Sequence, residues 1–389
     1  MAGDVSGNLG DMAIARSICD HIRSQINGVE IELVADRQTG PARFPDARII
    51  AKGIAGLPHR IQAVLGCDLL ICGGGGLFQD DDSRIKMPYW SIRILLARIL
   101  GARVIGYCLG VGPLTHFLSR FFCRLAFSCM DVISVRDPVA AEVAEKLTGK
   151  PVLMVPDPAL ALEPACRPAA ENLLRAHNIT LDDSPLIGVA VRKWFHMRGS
   201  FVPNQVAFRL GLKRTGGGQK LDKMTGVLAG LLDDLIDLHG GHVVFLPTYN
   251  VAHEGDDQVC EQIAGKMRSK SKSVIKISDP RLYKAVAGRL SVMLGGRMHP
   301  TIFAAAMGSP VVGLAYNPKF LGFFRLIGCP ENIMSVDDLV ERQQSKRLFD
   351  LISVCLQKPP GGAGAAVVSG LIRTYRDFNA FVCTGRKTA

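Results

Sequence analysis

The stretch GGRMHPTIFAAAMGSPVVGL, residues 295–314, places an arginine and a histidine two residues apart behind a glycine pair. The preceding LSVML is typical of a strand, the glycines of a turn, and Pro300 of the first turn of a helix that ends before Gly308. Arg297 and His299 are therefore predicted at a helix N-terminus, where backbone amides, the helix dipole and a planar guanidinium all attract an anion. The pattern predicts an anion site, with a surface arginine and a capping histidine as the alternative.

A second arginine follows the apolar run LIGVAVRKW in the same half of the chain. Because parallel strands end at one edge of a sheet, Arg192 is predicted to lie near Arg297 and to act as a second clamp for the anion. An arginine at a strand end that pairs with a surface acid is the alternative.

The first half of the chain carries polar residues in glycine-rich loops. Its candidate ligand-lining residues are Asn8, Asp11, Gly74, Gly75 and Gly76. Glycines in such turns permit close approach of a ligand, and a run of amides ahead of a helix favours an anion or a sugar. We expect Asp80 one helical turn further on, where its carboxylate would meet a sugar hydroxyl. Alternatively, the glycines only close tight turns, and Asp80 belongs to a solvated acidic start of a helix.

Short apolar runs alternate with helical patterns in both halves, which predicts parallel sheets and two Rossmann-like halves facing each other. The predicted strands are IELVAD, CDLLICGGGG, ARVIGYCLGVG, DVISVRDP and VLMVPDP, then LIGVAVRKW, GHVVFLPTYN, SVIKI, LSVMLGG and PVVGLAY. Polar or glycine residues follow these runs at Gly110, Gly112, Arg136, Asp137 and Asp157. Asp137, before Pro138, is predicted to be a helix N-cap.

The predicted domains are residues 1–165, a linker at 166–185, residues 186–350, and a C-terminal helix at 360–385. The first domain is taken as the acceptor side and the second as the donor side. No strand residues precede the first glycine loop. We therefore expect that the first strand is missing from this sequence, or that the sheet starts one strand short.

Composition narrows the function classes. With 389 residues and 48% hydrophobic content the chain can bury two cores. The formal net charge of +11 is spread along the sequence, and aromatic residues make up 6%, so we expect a small anionic substrate or a membrane-surface glycan and no nucleic acid. Eleven scattered cysteines without a C-x-x-C motif indicate reduced thiols and no metal site. Neither a membrane-spanning run nor a signal peptide is found, which predicts a soluble cytoplasmic protein, or one peripheral to the cytoplasmic membrane.

Taken in order, the motifs resemble those of the polysaccharide pyruvyl transferase family. The resemblance spans about Gly3 to Phe320 and is carried by GNLGDMAI, ICGGGGLFQD, GVGP, SVRDP, VPDPAL, VRKW, FLP and GGRMHPTIFAAAMGSPVVGLAYNPKF. It implies a GT-B-like pair of Rossmann domains with the active site in the interdomain cleft. The implied reaction transfers the enolpyruvyl unit of phosphoenolpyruvate to a sugar hydroxyl, which leaves a pyruvate ketal and releases phosphate. Implied acceptors are bacterial exopolysaccharide or cell-wall glycan precursors, free or lipid-linked.

The resemblance also implies roles for single residues. Its phosphoenolpyruvate-binding positions match Arg192, Arg297, Met298 and His299, and its acidic residue after the glycine run matches Asp80. Ketal formation requires a proton at the methylene carbon and a hydroxyl attack on the cationic central carbon. We therefore expect His299 as general acid and Asp80 as general base or cation stabiliser, with no cofactor and no metal.

One segment departs from the family pattern. The basic stretch Phe208–Lys223 matches none of the family motifs. Residues 196–220 are predicted to form a mobile loop that contacts an anionic acceptor, with a solvated insertion as the alternative.

Two other functions stay open from the sequence. A GT-B glycosyltransferase would bind a nucleotide sugar, for which Asp337 and Asp338 are the available ribose-binding acids. A non-catalytic glycan-binding protein is the second alternative, because function depends on the site and not on the fold.

Overall fold

The computed structural model describes residues 8–37, 39–51, 53, 56–80, 83–182, 184–193, 218–249, 255–317, 319–357 and 363–384. The chain forms two compact units. The described residues up to Leu162 and from Leu371 onward belong to the first unit, and those from Glu163 to Gly370 belong to the second. The loop predicted at 196–220 lies outside the described residues up to residue 217, as do the glycines at positions 3 and 7.

The first unit contains a parallel sheet and a separate parallel strand pair. Its strands are β1 (Glu32–Ala35), β2 (Arg48–Ala51), β3 (Leu69–Gly73), β4 (Arg103–Leu109), β5 (Val132–Val135) and β6 (Leu153–Met154). The four-stranded sheet has the order β3-β4-β5-β6, and β1 pairs with β2. All five runs predicted as strands in this half are confirmed. Strand β2 was not predicted from the sequence.

Helices cover this sheet and join its strands. They are α1 (Leu9–Gln25), α2 (Gly40–Arg43), α3 (Leu57–Gly66), α4 (Lys86–Ile99), α5 (Phe117–Ser128) and α6 (Pro138–Thr148), followed by a 3₁₀ turn at Pro158–Ala161. Helix α6 begins as predicted, with the Asp137 carboxylate accepting the Ala140 N–H at 2.9 Å and Pro138 in the first helical position. The core of the four-stranded sheet is formed by apolar residues of β3, β4, α4, α5 and α6.

The second unit is built on one six-stranded parallel sheet. Its strands are β7 (Leu186–Ala190), β8 (His242–Phe245), β9 (Lys272–Val274), β10 (Val292–Gly295), β11 (Val311–Ala315) and β12 (Ile333–Ser335). Five of them confirm predicted runs, and β12 was not predicted. The strand order β9-β8-β7-β10-β11-β12 is the Rossmann order, in which the chain builds outward from β7 and then resumes on its other side at β10.

Helices of the second unit pack on both faces of this sheet. They are α7 (Arg167–Ala176), α8 (Gly218–His239), α9 (Asp256–Lys266), α10 (Pro280–Ala287), α11 (Met298–Ala306), α12 (Lys319–Leu326), α13 (Val336–Val340) and α14 (Ser345–Leu356). Helix α7 occupies the segment predicted as a linker and belongs to this unit. Its core joins buried residues of β7, β8, β10 and β11 to α8 and α14.

The predicted C-terminal helix is present as α15 (Ala363–Thr384), and its residues from Leu371 onward belong to the first unit. Its buried face packs on β4, where the Tyr107 hydroxyl donates a hydrogen bond to Asn379 Oδ1 at 2.7 Å. The Tyr375 ring stands edge-on to the rings of Tyr107 and His21. The last helix therefore completes the core of the unit that begins the chain.

Two further features concern the whole described chain. Seven of the eleven cysteines are buried, where they pack as small core residues. Across the described ranges, every helix is too short or too polar to cross a bilayer.

Candidate functional site

The two arginines singled out in the sequence lie at the point where the strand order of the second unit reverses. Arg192 stands two residues after β7, and Arg297 stands two residues after β10, its neighbour in the sheet. The Gly296 N–H donates to the Ala190 carbonyl at 2.7 Å, which holds the two chain segments together beyond the strands. Ligands of open α/β sheets bind in the crevice at this reversal. The prediction that both arginines share one sheet edge is confirmed.

Helix α11 begins at this edge. Arg297 occupies the N-cap position with extended backbone, and the Thr301 hydroxyl donates to the Arg297 carbonyl at 2.9 Å. His299 is half-buried in the first turn, with its ring 6.5 Å from that of Phe303. Met298 is half-buried beside it. The predicted order of strand, glycine turn and helix with Pro300 in its first turn is confirmed, so His299 belongs to the turn at the positive end of the helix dipole.

A buried acid that the sequence did not reveal holds Arg297. Arg297 Nε and Nη2 donate to the two Asp256 carboxylate oxygens at 2.8 and 2.5 Å, and the Asp256 side chain is fully buried. The same carboxylate accepts the Thr248 hydroxyl at 3.2 Å and the Tyr249 N–H at 3.1 Å. One edge of the Arg297 guanidinium is thus committed to a fixed carboxylate, which orients the side chain at the helix N-terminus.

Asp256 had a signal in the sequence that was overlooked. It starts α9 and belongs to the loop that follows β8, the strand on the other side of β7. The rule that polar residues after each strand gather at one edge predicts it. Because ten residues separate β8 from Asp256, Asp256 was not assigned to the carboxyl end of this strand.

Arg192 has an aromatic partner from a third strand. Tyr316, the first residue after β11, accepts a hydrogen bond from Arg192 Nη1 at its hydroxyl at 3.2 Å. The Arg192 guanidinium carbon lies 4.9 Å from the centroid of the Tyr316 ring, within cation–π range. Arg192 is buried, so Tyr316 restricts a desolvated cation to one orientation.

The loops of the first unit form a separate polar cluster at the ends of its strands. Asn8 caps α1 by accepting the Gly10 N–H, and its amide donates to the Asp11 carboxylate at 3.0 Å. Asp11 lies directly against Gly75, since a Cβ there would be 2.9 Å from Asp11 Oδ1. Gly74 and Gly75 both have positive φ, a conformation that favours glycine. The structure therefore brings together all five residues predicted to line this loop region.

A buried charge cluster supports these loops. Arg136, after β5, donates to Asp157, after β6, at 2.9 Å, and Asp137 lies 3.7 Å from its Nε. Burial would lower the pKa of Arg136, but Asp157 and Asp137 raise it, and Asp11 adds a weaker attraction. A Cβ on Gly110 would lie 3.1 Å from the Arg136 guanidinium carbon. The arginine thus stays charged underneath the glycine loops.

The expected helix directly after the glycine run is absent. Gly74 N–H donates to the Tyr107 carbonyl, and Phe78 is buried and bridged to Val111. Helix α4 begins only at Lys86. The prediction of a helix start here was wrong, because the buried Phe78 extends the chain along β4 instead of turning it into a helix.

Asp80 is buried within this extended segment. Its carboxylate accepts the N–H groups of Thr115 and His116 at 2.9 to 3.0 Å and the Thr115 hydroxyl at 3.2 Å. Burial would raise the pKa of Asp80, but the backbone N–H groups of His116 and Thr115 outweigh it and lower that pKa below its ordinary value. A carboxylate held ionised in this way is a weak proton acceptor and a good source of fixed negative charge.

We expect Asp80→Asn to destabilise the protein by about 1 to 3 kcal/mol at neutral pH, because hydrogen bonds to a charged acceptor are lost. The folded-state pKa is lowered, so the contribution is present above the ordinary value of 3.8 and is lost as the pH falls through the folded-state pKa. Urea unfolding of both proteins over this pH range checks it. The exposed Asp68→Asn is the control. A stability difference that stays constant on acidification would contradict the prediction.

The sequence model of the polysaccharide pyruvyl transferase family matches residues 8–318. The chain belongs to this family. The match covers the loops of the first unit and the Arg192, Arg297 and His299 edge of the second, so the resemblance of the ordered motifs is confirmed. No curated protein matches this member of the family in sequence.

Solved structures similar to this pyruvyl transferase family member include several nucleotide-sugar epimerases. UDP-GlcNAc 2-epimerase from Methanocaldococcus jannaschii has a TM-score of 0.58 at 12% identity over 95% of this chain and 98% of that one. A putative UDP-N-acetylglucosamine 2-epimerase from Listeria monocytogenes has a TM-score of 0.55 at 12% identity, over 100% and 99%. UDP-GlcNAc 2-epimerase from Neisseria meningitidis, bound to UDP-GlcNAc, has a TM-score of 0.54 at 9% identity, over 95% and 98%. Such low identities establish the fold alone, which agrees with the predicted α/β class of two Rossmann-like domains.

Proposed function

We propose that the protein transfers the enolpyruvyl group of phosphoenolpyruvate to a sugar of an exopolysaccharide or cell-wall glycan precursor, forming a pyruvate ketal and releasing phosphate. The observation that carries the proposal is the grouping of Arg192, Arg297 and His299 at the strand-order reversal of the second unit, beside the α11 N-terminus. Membership of the polysaccharide pyruvyl transferase family supports the reaction class.

The charges at this edge suit a small, strongly anionic donor. Phosphoenolpyruvate carries a phosphate and a carboxylate, and buried cations in a desolvated crevice bind such groups more strongly than exposed ones do. Asp256 already offsets the charge of Arg297, so we assign the larger share of donor affinity to Arg192. Arg297 contributes the second edge of its guanidinium and the position of the helix start.

In the proposed reaction a proton from the His299 imidazolium adds to the methylene carbon, which becomes the methyl group. Positive charge develops at the central carbon, and a sugar hydroxyl attacks it and loses its proton. The bond from that carbon to the phosphate oxygen then breaks, and a second hydroxyl completes the ketal. Of the two hydroxyl protons, one restores His299 and the other leaves with the phosphate, so the reaction needs no cofactor and no metal.

The loops of the first unit are assigned to the acceptor. Asn8, Asp11 and the backbone of Gly74–Gly76 offer hydrogen-bond partners of the kind that sugar hydroxyls use, and the glycines allow close approach. The ionised state of Asp80 favours its role as cation stabiliser over that of general base. Its hydrogen bonds to Thr115 and His116, just before α5, also make it a positioning residue for this loop.

Phosphate release from phosphoenolpyruvate, measured with and without lipid-linked and free oligosaccharides, tests the proposal. We expect release only when a suitable acceptor is present, a new methyl resonance on the sugar, and the same rate in the presence of a metal chelator. Turnover of a nucleotide sugar with no use of phosphoenolpyruvate would overturn it and favour a glycosyltransferase. Acceptor binding without turnover of either donor would indicate a glycan-binding protein.

We expect Arg192→Ala to weaken phosphoenolpyruvate binding by roughly ten- to a hundredfold, because a charge-assisted contact of about 1.5 to 3 kcal/mol is lost. Tyr316→Phe is the graded comparison, since it removes only the hydroxyl that accepts from Arg192. It should weaken binding by about tenfold or less. Calorimetry on the three proteins measures both effects. Unchanged affinity in Arg192→Ala would exclude Arg192 from the donor site.

A further inference from the structure

Helices α4 and α5 of the first unit expose an unusual amount of apolar surface. Nine large side chains on these helices and their ends are at least 37% exposed, namely Ile85, Tyr89, Ile92, Leu96, Ile99, Leu100, Phe117, Leu118 and Phe121. Single exposed apolar residues are ordinary on a protein surface, whereas a contiguous set marks a binding surface. We call these nine side chains the α4–α5 face.

The pattern within α4 shows that the face is organised. Ile85, Tyr89, Ile92, Leu96 and Ile99 recur at alternating spacings of four and three, which places them on one side of the helix. The opposite side of α4, with Met87, Ser91, Ile94 and Ala97, is buried against the unit's core. Helix α4 packs against α5, so the exposed phenylalanines of α5 extend the same surface. The helix is therefore apolar on two sides. On the second side Ile85, Ile92 and Ile99 are exposed, and Tyr89 and Leu96 are exposed at the rim of a cavity that α3 and β1 also line.

Helices α4 and α5 and the segment between them carry charged side chains of one sign. Residues 83–130, which include both helices, contain seven lysines or arginines and no aspartate or glutamate. The Arg93 guanidinium lies 3.5 Å above the Tyr89 ring, and Arg120 and Arg124 are exposed on α5 next to Phe121. Arg98 pairs with Asp131, just beyond α5. Apolar side chains surrounded by cations match the interface of a bilayer that contains anionic lipids, where apolar groups enter the acyl boundary and cations meet phosphates.

We propose that the α4–α5 face docks the protein on the surface of an anionic lipid bilayer. The helices lie along the interface and do not cross it, with Ile92, Leu96 and Phe121 entering the boundary between headgroups and acyl chains. Long basic side chains keep their heads at the phosphate level while their stems cover apolar surface. This inference rests on the first unit alone and does not depend on the proposed transfer reaction.

Flotation of the full-length protein with vesicles tests the proposal. We expect binding to vesicles of phosphatidylcholine and phosphatidylglycerol, much weaker binding to pure phosphatidylcholine, and loss of binding as salt is raised. Ile92→Ser combined with Phe121→Ser should lower partitioning at least about tenfold, because two apolar side chains no longer leave water. Arg120→Glu should lower it by about tenfold, since one cation becomes an anion at the surface.

Matched controls lie in the second unit. Leu238 is 64% exposed on α8, and Lys346 is exposed on α14. Leu238→Ser and Lys346→Glu should leave partitioning unchanged, and melting curves establish that all variants are folded. Absence of flotation for the folded wild-type protein, or equal effects of the controls, would overturn the proposal. A wild-type dimer that the Ile92 and Phe121 substitutions dissociate would overturn it too, by assigning the face to a second copy of the chain.

Discussion

Replacement of His299 by glutamine is expected to lower kcat by about 10² to 10⁴ while phosphoenolpyruvate binding survives. Glutamine keeps a hydrogen-bonding group at the start of α11 but cannot deliver a proton to the methylene carbon at neutral pH. The proposed donor contacts of Arg192 and of the α11 N-terminus do not involve the imidazole. Calorimetry of donor binding beside turnover at saturating donor separates the two effects.

The pH dependence gives a second readout of the same substitution. The positive end of the α11 dipole disfavours a protonated imidazole, whereas a bound phosphate favours it. Donor binding is therefore expected to promote protonation of His299, the proposed acid. Wild-type kcat should fall at alkaline pH as the imidazolium loses its proton, and this limb should vanish in His299→Gln. His242 begins β8 at the opposite edge of the sheet and bonds Ser273, so His242→Gln should keep the limb. If His299→Gln abolishes donor binding yet retains turnover at saturating donor, His299 is a phosphate ligand and the acid lies elsewhere.

Asp256→Asn should destabilise the second unit by about 3 to 5 kcal/mol, because a buried ion pair loses its charged partner. Asp256 is fully buried, and the Arg297 side chain beside it is only 12% exposed, so little water can replace the lost carboxylate. Hydrogen exchange of amides in β7 and β10 reports the opening free energy of this unit without requiring two-state unfolding of the whole chain. Donor affinity should change as well, because Arg297 loses the contacts that orient it.

The adjacent Asp257 supplies the control for this prediction. Asp257 pairs with Lys276 at 2.9 Å, but that lysine is 49% exposed, and ion pairs in contact with solvent contribute little. Asp257→Asn is therefore expected to change the opening free energy by about 1 kcal/mol or less. Equal effects at positions 256 and 257 would show that the Arg297 pair is no more important than a surface contact.

The sequence predicted the repeating parts of the fold because alternating apolar runs and helical periods are local signals. All ten runs predicted as strands are present, and the turn around Gly295 and Gly296 has the expected neighbours. Strands β2 and β12 were missed; each is a short apolar run with charged or polar residues on both sides. The helix expected after Gly76 is absent because Phe78 pairs with Val111, a residue that is distant in sequence.

Only part of the candidate site could be predicted from the sequence, because contacts between residues that are distant in sequence are not local signals. Arg192, Arg297 and His299 follow strands directly, so their common edge was predictable. Ten residues separate Asp256 from β8, and Tyr316 follows β11 without a charge to mark it, so their contacts with the two arginines were not predicted. Asp80 illustrates the limit further, because its loop partners lie 35 and 36 residues away and determine whether it is a base or a fixed charge.

The glycine pair between β10 and α11 bears on how this enzyme family member can evolve. A Cβ on Gly295 would lie 1.9 Å from Thr301 Oγ1, and one on Gly296 would lie 3.2 Å from Val191 Cα. A side chain at position 296 would press on Val191, next to Arg192, which would have to give by a few tenths of an ångström. The two segments that carry the arginines can thus approach closely because residue 296 has no side chain. Substitutions at these two positions are therefore constrained by the contact between the two segments, and the loops around them are freer to vary.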